Sequence, residues 1–401
     1  MQEFTGKEYL KIDIANHYGL DKKNWNQRLE WFDEHEDVLE SLVKEADEPA
    51  EYYAAVLAYR EMQKGNPIGY LISLDSTSSG IQLLSIMLAD IKAAAKCNVI
   101  NTGNREDIYT ILYKKMCDKV QDKEKIKRED VKKSIMTACY GSQATPKRIF
   151  GDGSALYASF LAVMNEELPY IWKFMECCLD LWNPTATEYG WVMPDNFHVH
   201  TKIKGLRTET VNFLNTPIEV TTKVCMPQEK GRSYSANITH SVDSLIVREM
   251  SRRCMYNKNK IERVKDILAH ASIFKMEYNE KNEMLETLWK HYKESGFLSL
   301  RIIDYINPDT VSYIDDPDAV LNLINTLPEK PFNIITIHDA FKCHPNYGND
   351  VRRQYKNLLK ELAKSNILNN ILRQLTGREE INIPKPFDFY DAIEDAEYAL
   401  S

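Results

Sequence analysis

Two aspartates in this sequence each follow a short run of apolar residues. Asp75 ends the stretch LISLD, and Asp339 follows ITIH, in which β-branched residues predict a buried strand. A carboxylate held at a strand end is a ligand that hard divalent cations such as Mg²⁺ accept. Capping and turn formation are the commoner uses of such an aspartate, so these two residues alone do not decide between structure and chemistry.

A third segment, REDVKKSIMTACYGS, carries functional groups at a spacing of four residues. The residues that recur at this spacing are Arg128, Lys132, Met136 and Tyr140. On an α-helix such residues lie along one slowly turning side. A guanidinium, an ammonium and a phenol in a row suit a ligand with phosphates at one end and a sugar at the other. Opposite two metal-binding carboxylates, this face would complete the groups needed for phosphoryl transfer.

The composition is that of a folded protein of 401 residues, with 43% hydrophobic and 27% charged residues. The net charge of −8 is not typical of a nucleic-acid-binding protein, although a local basic groove is compatible with it. Eight cysteines contain no C-x-x-C pair, which predicts reduced and mostly buried thiols in a cytosolic protein. No signal peptide is expected, and no apolar run reaches the ~20 residues that span a bilayer.

Apolar spacing and turn residues predict the elements that must position these groups. They predict a strand at 69–75, a β-hairpin region at 190–233, and helices at 79–97, 105–119, 128–141, 155–182, 236–295 and 351–375. Helices outnumber strands, and neither repeats nor flexible linkers interrupt the chain. We therefore expect an α+β fold in one intertwined body.

Three segments resemble, in order, the polymerase motifs of the single-subunit phage and mitochondrial-type RNA polymerases: DSTSSGIQLLSIML, REDVKKSIMTACYGS and HDAF. Further matching stretches are YGLDKKNWNQRLEWFDEHEDVL, EDIYTILYKKM, WVMPDNFHV, NITHSVDS and DAIEDAEYAL. The similarity runs from about Gly6 to the end of the chain with one large interruption. It implies a right-hand polymerase that is mostly helical, with fingers and a palm built on a small antiparallel sheet.

The resemblance implies a division of the chain into six parts. These are a helical N-terminal part of the palm region (1–65), palm with the first metal motif (66–100), fingers with the nucleotide-binding helix (101–190), a β-hairpin region resembling a specificity loop (191–235), a fingers and palm return with a helical insertion (236–330), and palm with the second metal motif and the C-terminal tail (331–401).

The same resemblance implies roles for individual residues. Asp75 and Asp339 are the expected ligands of two Mg²⁺ ions, with the backbone carbonyl of Ser76 as a further ligand. Arg128 and Lys132 are expected to contact the triphosphate of the incoming nucleotide, and Lys132 is a candidate proton donor to the leaving pyrophosphate.

Sugar selection is implied at several further positions. Gly80 lies five residues after Asp75, where related DNA polymerases carry a glutamate that blocks the ribose 2′-hydroxyl, so the resemblance implies space for this hydroxyl. Tyr140 resembles the ribose-sensing tyrosine of the family, and His240 and His338 are expected to assist it. Tyr109 is a lesser candidate for packing near the nucleotide or template, with core packing nearly as well supported.

Departures from the family pattern also carry expectations. The N-terminal region, the thumb and an Asp-x-x-Gly-Arg motif precede the matched part in relatives, which implies that this chain is the larger subunit of a two-chain phage polymerase. A smaller subunit would supply those parts. The segment between Asp243 and Pro331 is longer than usual, and either a solvated helical insertion or a partner-docking surface fits it. Ala340 stands where a serine is common.

The region from Val199 to Lys230 falls where family members carry a promoter-specificity loop. It is modestly basic through Lys202, Lys204 and Arg207. No DNA preference follows from these residues.

The expected function is therefore that of a DNA-directed RNA polymerase catalytic subunit in the cytoplasm of an infected bacterial host. Its expected partners are a DNA template, the RNA product, ribonucleoside triphosphates and the smaller subunit. One alternative is a DNA polymerase of the same superfamily, against which Gly80 and Met136 argue. The other is a non-catalytic nucleic-acid-binding subunit, against which the presence of all the motif residues argues.

Overall fold

The computed structural model describes residues 1–120, 126–273 and 282–401, and these are mostly helical with small antiparallel sheets. This composition agrees with the predicted α+β class. The first ten helices are α1 (Gly6–Ala15), α2 (Trp25–His35), α3 (Pro49–Gln63), α4 (Ser79–Met87), α5 (Ile91–Lys96), α6 (Ile108–Lys119), α7 (Arg128–Ala138), α8 (Ala144–Phe150), α9 (Ala155–Glu167) and α10 (Pro169–Asp180). The later helices are α11 (Ser233–Cys254), α12 (Lys258–Ile273), α13 (Glu283–Ser295), α14 (Pro317–Asn325), α15 (Gly348–Lys364) and α16 (Ile367–Thr376).

Seven strands form three separate sheets within the described ranges. The strands are β1 (Ile72–Asp75), β2 (Glu188–Val192), β3 (His198–Lys202), β4 (Lys204–Phe213), β5 (Thr216–Cys225), β6 (Ile334–Ile337) and β7 (Ala340–Cys343). Strands β1, β7 and β6 pair in that order, whereas β2 with β3 and β4 with β5 form two hairpins. The predicted single hairpin region is thus two hairpins. The sheet of β1, β7 and β6 unites the two aspartate motifs.

Several predicted helices are shorter than expected because local signals interrupt them. The predicted helix 79–97 breaks at Ala89, whose φ is +51°, and Asp90 caps α5 by accepting from the Ala93 N–H at 3.0 Å. The predicted helix 155–182 is divided into α9 and α10, because Pro169 cannot continue α9 and is instead the first residue of α10. The predicted helix 351–375 is likewise two helices separated at residues 365–366.

The predicted long helix 236–295 was wrong as a single element. Three helices, α11, α12 and α13, occupy this part of the chain, and residues 274–281 of the prediction lie outside the described residues. The apolar side chains of α12, α13 and α14 form a second hydrophobic cluster that extends from Tyr256 to Ile324, whereas those of α11 belong to the main core. From Tyr256 onward, the long connection between Asp243 and Pro331 therefore has a core of its own, in contrast to the expectation of one intertwined body.

The main hydrophobic core contains residues from both ends of the chain, from Phe4 to Leu400. Arg352 is 2% exposed and lies over the ring of Trp25, with 4.8 Å between the guanidinium carbon and the ring centroid. Trp25 in turn stacks on Tyr398, with ring centroids 5.2 Å apart. These contacts fix the last residues of the chain against α2 and α15. None of the described helices has both the length and the apolar character needed to cross a membrane.

A buried ion network joins α11 to α15. The guanidinium of Arg253 has no exposed surface and donates two hydrogen bonds of 2.6 Å to the carboxylate of Glu361. Its Nε lies 3.4 Å from Glu249, which also accepts from the Ser299 hydroxyl at 2.6 Å. Every carboxylate in the network has donors, so the charges are stabilised by hydrogen bonds inside the protein.

We predict that Arg253→Met lowers the free energy of unfolding by about 3–5 kcal/mol, because Glu249 and Glu361 then lose a buried partner. Urea denaturation followed by far-ultraviolet circular dichroism measures this change. The control is Lys260→Met, because Lys260 pairs with Asp304 at the surface and such pairs contribute about 0–1 kcal/mol. Equal effects of the two substitutions would show that the buried network is not a major source of stability.

Candidate active site

The turn between β6 and β7 consists of His338 and Asp339, because Ile337 pairs with Ala340 across the hairpin. His338 has a φ of +55°, and two-residue hairpin turns use positive φ at this position. Asp339 therefore lies in the turn itself rather than at the end of a strand. The sequence left turn formation and metal binding as two alternatives for this aspartate. The structure shows the turn, and the turn places the carboxylate at the tip of the hairpin.

The two predicted carboxylates lie next to each other in the fold. Asp75 is the last residue of β1, and its Cα is paired with that of Ala340, the residue after Asp339. The backbone N–H of Ser76 donates to the carbonyl of Asp339 at 3.2 Å. The sheet thus brings together two motifs from opposite ends of the chain.

A third carboxylate, Asp243 on α11, lies within electrostatic range of Asp339 and His338 and accepts a hydrogen bond from the Ser79 side chain. Sequence reasoning did not assign Asp243 a role. The sequence feature that could have identified Asp243 is its spacing of three residues from His240, which places both side chains on one face of a helix. Burial, followed by the charge of Asp339, raises the pKa of Asp243 to about 6.

The electrostatics of this cluster favour a bound cation. The carboxylate of Asp75 is open to the cleft but closely surrounded by protein atoms, and this partial burial together with Asp339 raises its pKa to about 6. Among the described residues, no ion pair involves Asp75, Asp243 or Asp339. No three His, Cys, Asp or Glu side chains in these ranges form a ready-made metal site. The available ligands are two adjacent carboxylates and nearby backbone carbonyls, which suit a hard cation.

Buried polar groups hold the residue after Asp75 in place. Gln82 has no exposed surface, and its Oε1 accepts from the hydroxyls of Ser76 at 2.9 Å and Tyr355 at 2.8 Å. Its Nε2 donates to the carbonyl of Ala399 at 2.9 Å. The tail also pairs with β1, since the Ser401 N–H donates to the Asp75 carbonyl at 2.9 Å. Both edges of β1 are therefore paired, which fixes the backbone that carries Asp75.

The cationic residues of α7 contact the preceding helix, α6. Arg128 donates from Nη2 to Asp107 at 2.5 Å and from Nε to the hydroxyl of Thr110 at 2.7 Å. Burial acts to raise the pKa of Asp107, but hydrogen bonds from Thr110 and Arg128 outweigh it and hold the pKa below its usual value. The Nζ of Lys132 lies 5.6 Å from the ring centroid of Tyr109. These contacts orient both cations along one face, as the spacing predicted.

Tyr140 lies two residues beyond the end of α7, in the turn that leads to Gly141, so it extends the predicted face beyond the helix. Its ring contacts that of His240, with centroids 5.0 Å apart. Its hydroxyl lies over Gly80, because a Cβ added there would be 1.9 Å from the Tyr140 oxygen. The space expected at Gly80 for a ribose hydroxyl is thus occupied by the Tyr140 hydroxyl in this structure.

The predicted site residues therefore fall into two adjacent groups. Six of them form the carboxylate group, which consists of the two aspartates and the residues around them: Asp75, Ser76, Tyr140, His240, His338 and Asp339. The other three contact each other or α6 on the neighbouring helices: Tyr109, Arg128 and Lys132. Burial raises the pKa of Tyr109, and Cys139 and Tyr140 add to the shift, so Tyr109 lies between the two groups.

Comparison with known proteins gives a consistent result. Residues 2–148 match the family model described as DNA-dependent RNA polymerase. A probable DNA-directed RNA polymerase of Neurospora crassa is 24% identical over 374 residues, which cover 85% of this chain and 38% of that protein. A DNA-directed RNA polymerase of Pseudomonas phage phiKMV is 32% identical over 122 residues, or 26% of this chain and 15% of that protein.

A mitochondrial DNA-directed RNA polymerase of Schizosaccharomyces pombe is 26% identical over 163 residues, or 34% of this chain and 14% of that protein. An Agaricus bitorquis protein, also a probable DNA-directed RNA polymerase, is 23% identical over 386 residues and is covered to 34% of its length. The chain thus spans little more than a third of the length of the Neurospora and Agaricus relatives.

We predict that Asp75→Asn stabilises the chain at about pH 8 in the presence of a chelator, and much less at about pH 4.5. The pKa of Asp75 is raised from 3.8 to about 6, so the folded chain binds this proton more tightly than the unfolded chain does. Stability is therefore lost as the pH rises through this interval, and the asparagine variant avoids that loss. Thermal unfolding of both proteins at the two pH values measures the difference.

The control for this experiment is Asp309→Asn, because Asp309 is an exposed aspartate outside the cluster. A pH-independent difference between the Asp75 variant and the original protein would contradict the proposed electrostatics of the cluster.

Proposed function

We propose that this chain is the catalytic chain of a DNA-directed RNA polymerase of the single-subunit phage and mitochondrial type, to whose members it is similar. It would add ribonucleotides to the 3′ end of an RNA on a DNA template. The observation that carries the proposal is the meeting of two aspartates from separate motifs, Asp75 at the end of β1 and Asp339 in the adjoining β6–β7 turn, with no ion-pair partner among the described residues.

The proposed metal ligands are Asp75, Asp339 and the carbonyl of Ser76. Two divalent cations held there, most simply Mg²⁺, would activate the RNA 3′-hydroxyl and stabilise the leaving pyrophosphate. The donor set supports this assignment, since desolvated carboxylates without a cationic partner are costly unless a ligand neutralises them. The sheet contributes by fixing both carboxylates before the substrate arrives.

The proposed nucleotide contacts lie on α7 and in the turn after it. Arg128 and Lys132 would bind the triphosphate, and Lys132 would donate a proton to the pyrophosphate. The pair of Arg128 with Asp107 supports this role because it limits the rotamers of the guanidinium. In this proposal β1, β6 and β7 belong to the palm, and α6 to α10 belong to the fingers.

Sugar selection is proposed for Tyr140 together with His240 and His338. The contact of the Tyr140 hydroxyl with Gly80 supports it, because only a residue without a side chain admits the phenol at this point. This contact also favours an RNA polymerase over a DNA polymerase with a glutamate at the same offset. A non-catalytic role is disfavoured because the unpaired carboxylates raise each other's energy and serve no evident structural purpose.

The hairpin of β4 and β5 is a proposed DNA contact. Its residues are almost all exposed, and Leu214 and Asn215 form its turn with positive φ angles of 51° and 60°. A two-stranded ribbon of this kind fits the DNA major groove. Lys204 and Arg207 at its base would contact phosphates.

A second, smaller subunit is proposed to supply the parts of the relatives that this chain does not span, including the thumb. The proposed location is the cytoplasm of an infected bacterium, which the similarity to a phage polymerase supports. A chain without those parts would have fewer phosphate contacts and so would hold nucleic acid weakly. Processive RNA synthesis by this chain alone would contradict the need for a second subunit.

We predict that Asp339→Asn reduces extension of an RNA primer on single-stranded DNA by at least about 1,000-fold, because it removes a charged metal ligand. The assay uses labelled primer, ribonucleoside triphosphates and Mg²⁺, and thermal unfolding verifies that the variant folds. Asp309→Asn is the matched control and should retain full activity. Extension by the Asp339 variant at the original rate would refute the metal role.

We predict that Tyr140→Phe lowers the preference for ribonucleotides over deoxyribonucleotides by about tenfold, since one hydrogen bond to the sugar is lost while the ring remains. The ratio of kcat/KM for the two substrates measures this preference. The rate with ribonucleotides should change little. An unchanged ratio would mean that the sugar is recognised by other residues.

A further inference from the structure

Arg105 lines a cavity of about 370 Å³ beside Asp75, which Ser76 and Lys22 also line. Its Nη1 donates to the carbonyl of Glu106 at 3.0 Å, whereas its buried Nε has no hydrogen-bond partner. Among the described residues it forms no ion pair. Buried arginine donors are normally satisfied, so the vacant donor next to a catalytic candidate calls for a ligand.

The backbone of Arg105 is held firmly relative to β1. Its N–H donates to the side-chain oxygen of Asn24 at 2.8 Å. The side chain of Asn98 accepts from the Glu106 N–H at 2.7 Å and donates to the Glu106 carbonyl at 2.9 Å and to the hydroxyl of Thr77 at 3.1 Å. Since Thr77 lies two residues after Asp75, Arg105 and the carboxylate are fixed on one framework.

The charges around the cavity leave Arg105 close to Asp75 without neutralising it. His17 lies between Asp13 at 3.4 Å and Glu48 at 2.6 Å, so these two acids already have a partner. Burial lowers the pKa of Arg105, and the charges of Asp21, Asp107 and Asp75, in that order, oppose this shift. A guanidinium near a carboxylate but outside ion-pair distance leaves room for an anion that arrives with its own cation.

We infer that Arg105 binds the β- and γ-phosphates of the incoming nucleoside triphosphate and then the released pyrophosphate. This inference rests on the proposed polymerase function. Arg105 lies two residues before Asp107, the partner of Arg128, so two arginines flank one carboxylate at the start of α6. A guanidinium matches phosphate oxygens through several donors at once. The ligand would be the magnesium complex, because the acids of the cavity repel a free polyphosphate.

The test is isothermal titration of magnesium tripolyphosphate into the intact protein, with the same excess of Mg²⁺ in cell and syringe. We expect Arg105→Gln to weaken binding about tenfold, as loss of a charge-assisted hydrogen bond does. Arg105→Lys keeps the charge but loses the planar set of donors of the guanidinium. Its affinity should lie between those of the original protein and Arg105→Gln. Arg263→Gln, at an exposed position on α12, is the matched control and should bind as the original protein does.

Primer extension with the same variants separates this inference from the proposed function. Arg105→Gln should raise KM for the nucleotide about tenfold with a smaller change in kcat. If none of the proteins extends the primer, the titration still decides the role of Arg105 independently of the polymerase proposal. Tripolyphosphate binding by Arg105→Gln within about twofold of the original protein, or no binding by the original protein, would overturn the inference.

Discussion

The repulsion between Asp75 and Asp339 is the constraint on which the rest of this structure depends. Asp75 ends β1 and Asp339 lies in the adjoining β6–β7 turn, and partial burial, followed by the charge of Asp339, raises the pKa of Asp75. Their positions persist because the surrounding backbone is fixed. Ser76 bonds to the Asp339 carbonyl, and His338 adopts a positive φ that the tight turn demands. The fold thus stores an unfavourable arrangement that a bound cation would relieve.

The stabilising contacts come from parts of the chain that have no chemistry of their own. The tail pairs with β1, and it is fixed by the stacking of Tyr398 on Trp25 and by the buried Arg352. Under the strand, Gln82 joins Ser76 to Tyr355 and to the tail. A buried amide that uses all its groups fixes its neighbours more tightly than an apolar side chain would, because each unmade hydrogen bond is costly.

The helices α6 and α7 hold the predicted cations, and the turn after α7 holds the phenol of Tyr140. Asp107 holds Arg128 from one side and caps α6, so a single carboxylate fixes both the helix start and the guanidinium. The Tyr140 hydroxyl occupies the space over Gly80, which couples the turn after α7 to the helix that follows β1. Movement of α7 would therefore change both the space over Gly80 and the surroundings of Asp339, which lies near Tyr140.

The amino-acid sequence by itself determined the motifs, the α+β class and the residue types that any phosphate chemistry here must use. Apolar periodicity located most helices, because a helix buries one face wherever it packs. It placed helix ends poorly, since breaks at Ala89 and at Pro169 depend on backbone angles and caps rather than on periodicity. Apolar periodicity also did not predict the separate core around Trp289, because the pattern of apolar residues does not show which cluster each residue joins.

Only the tertiary structure decided which groups meet. The pairing of β1 with β7, the third carboxylate Asp243 and the vacant donor of Arg105 all arise between residues distant in the chain, and local patterns carry no information on such contacts. The same holds for the phenol over Gly80. Side-chain chemistry is a local property of the sequence, whereas dehydration and charge repulsion are set by neighbours that folding brings together.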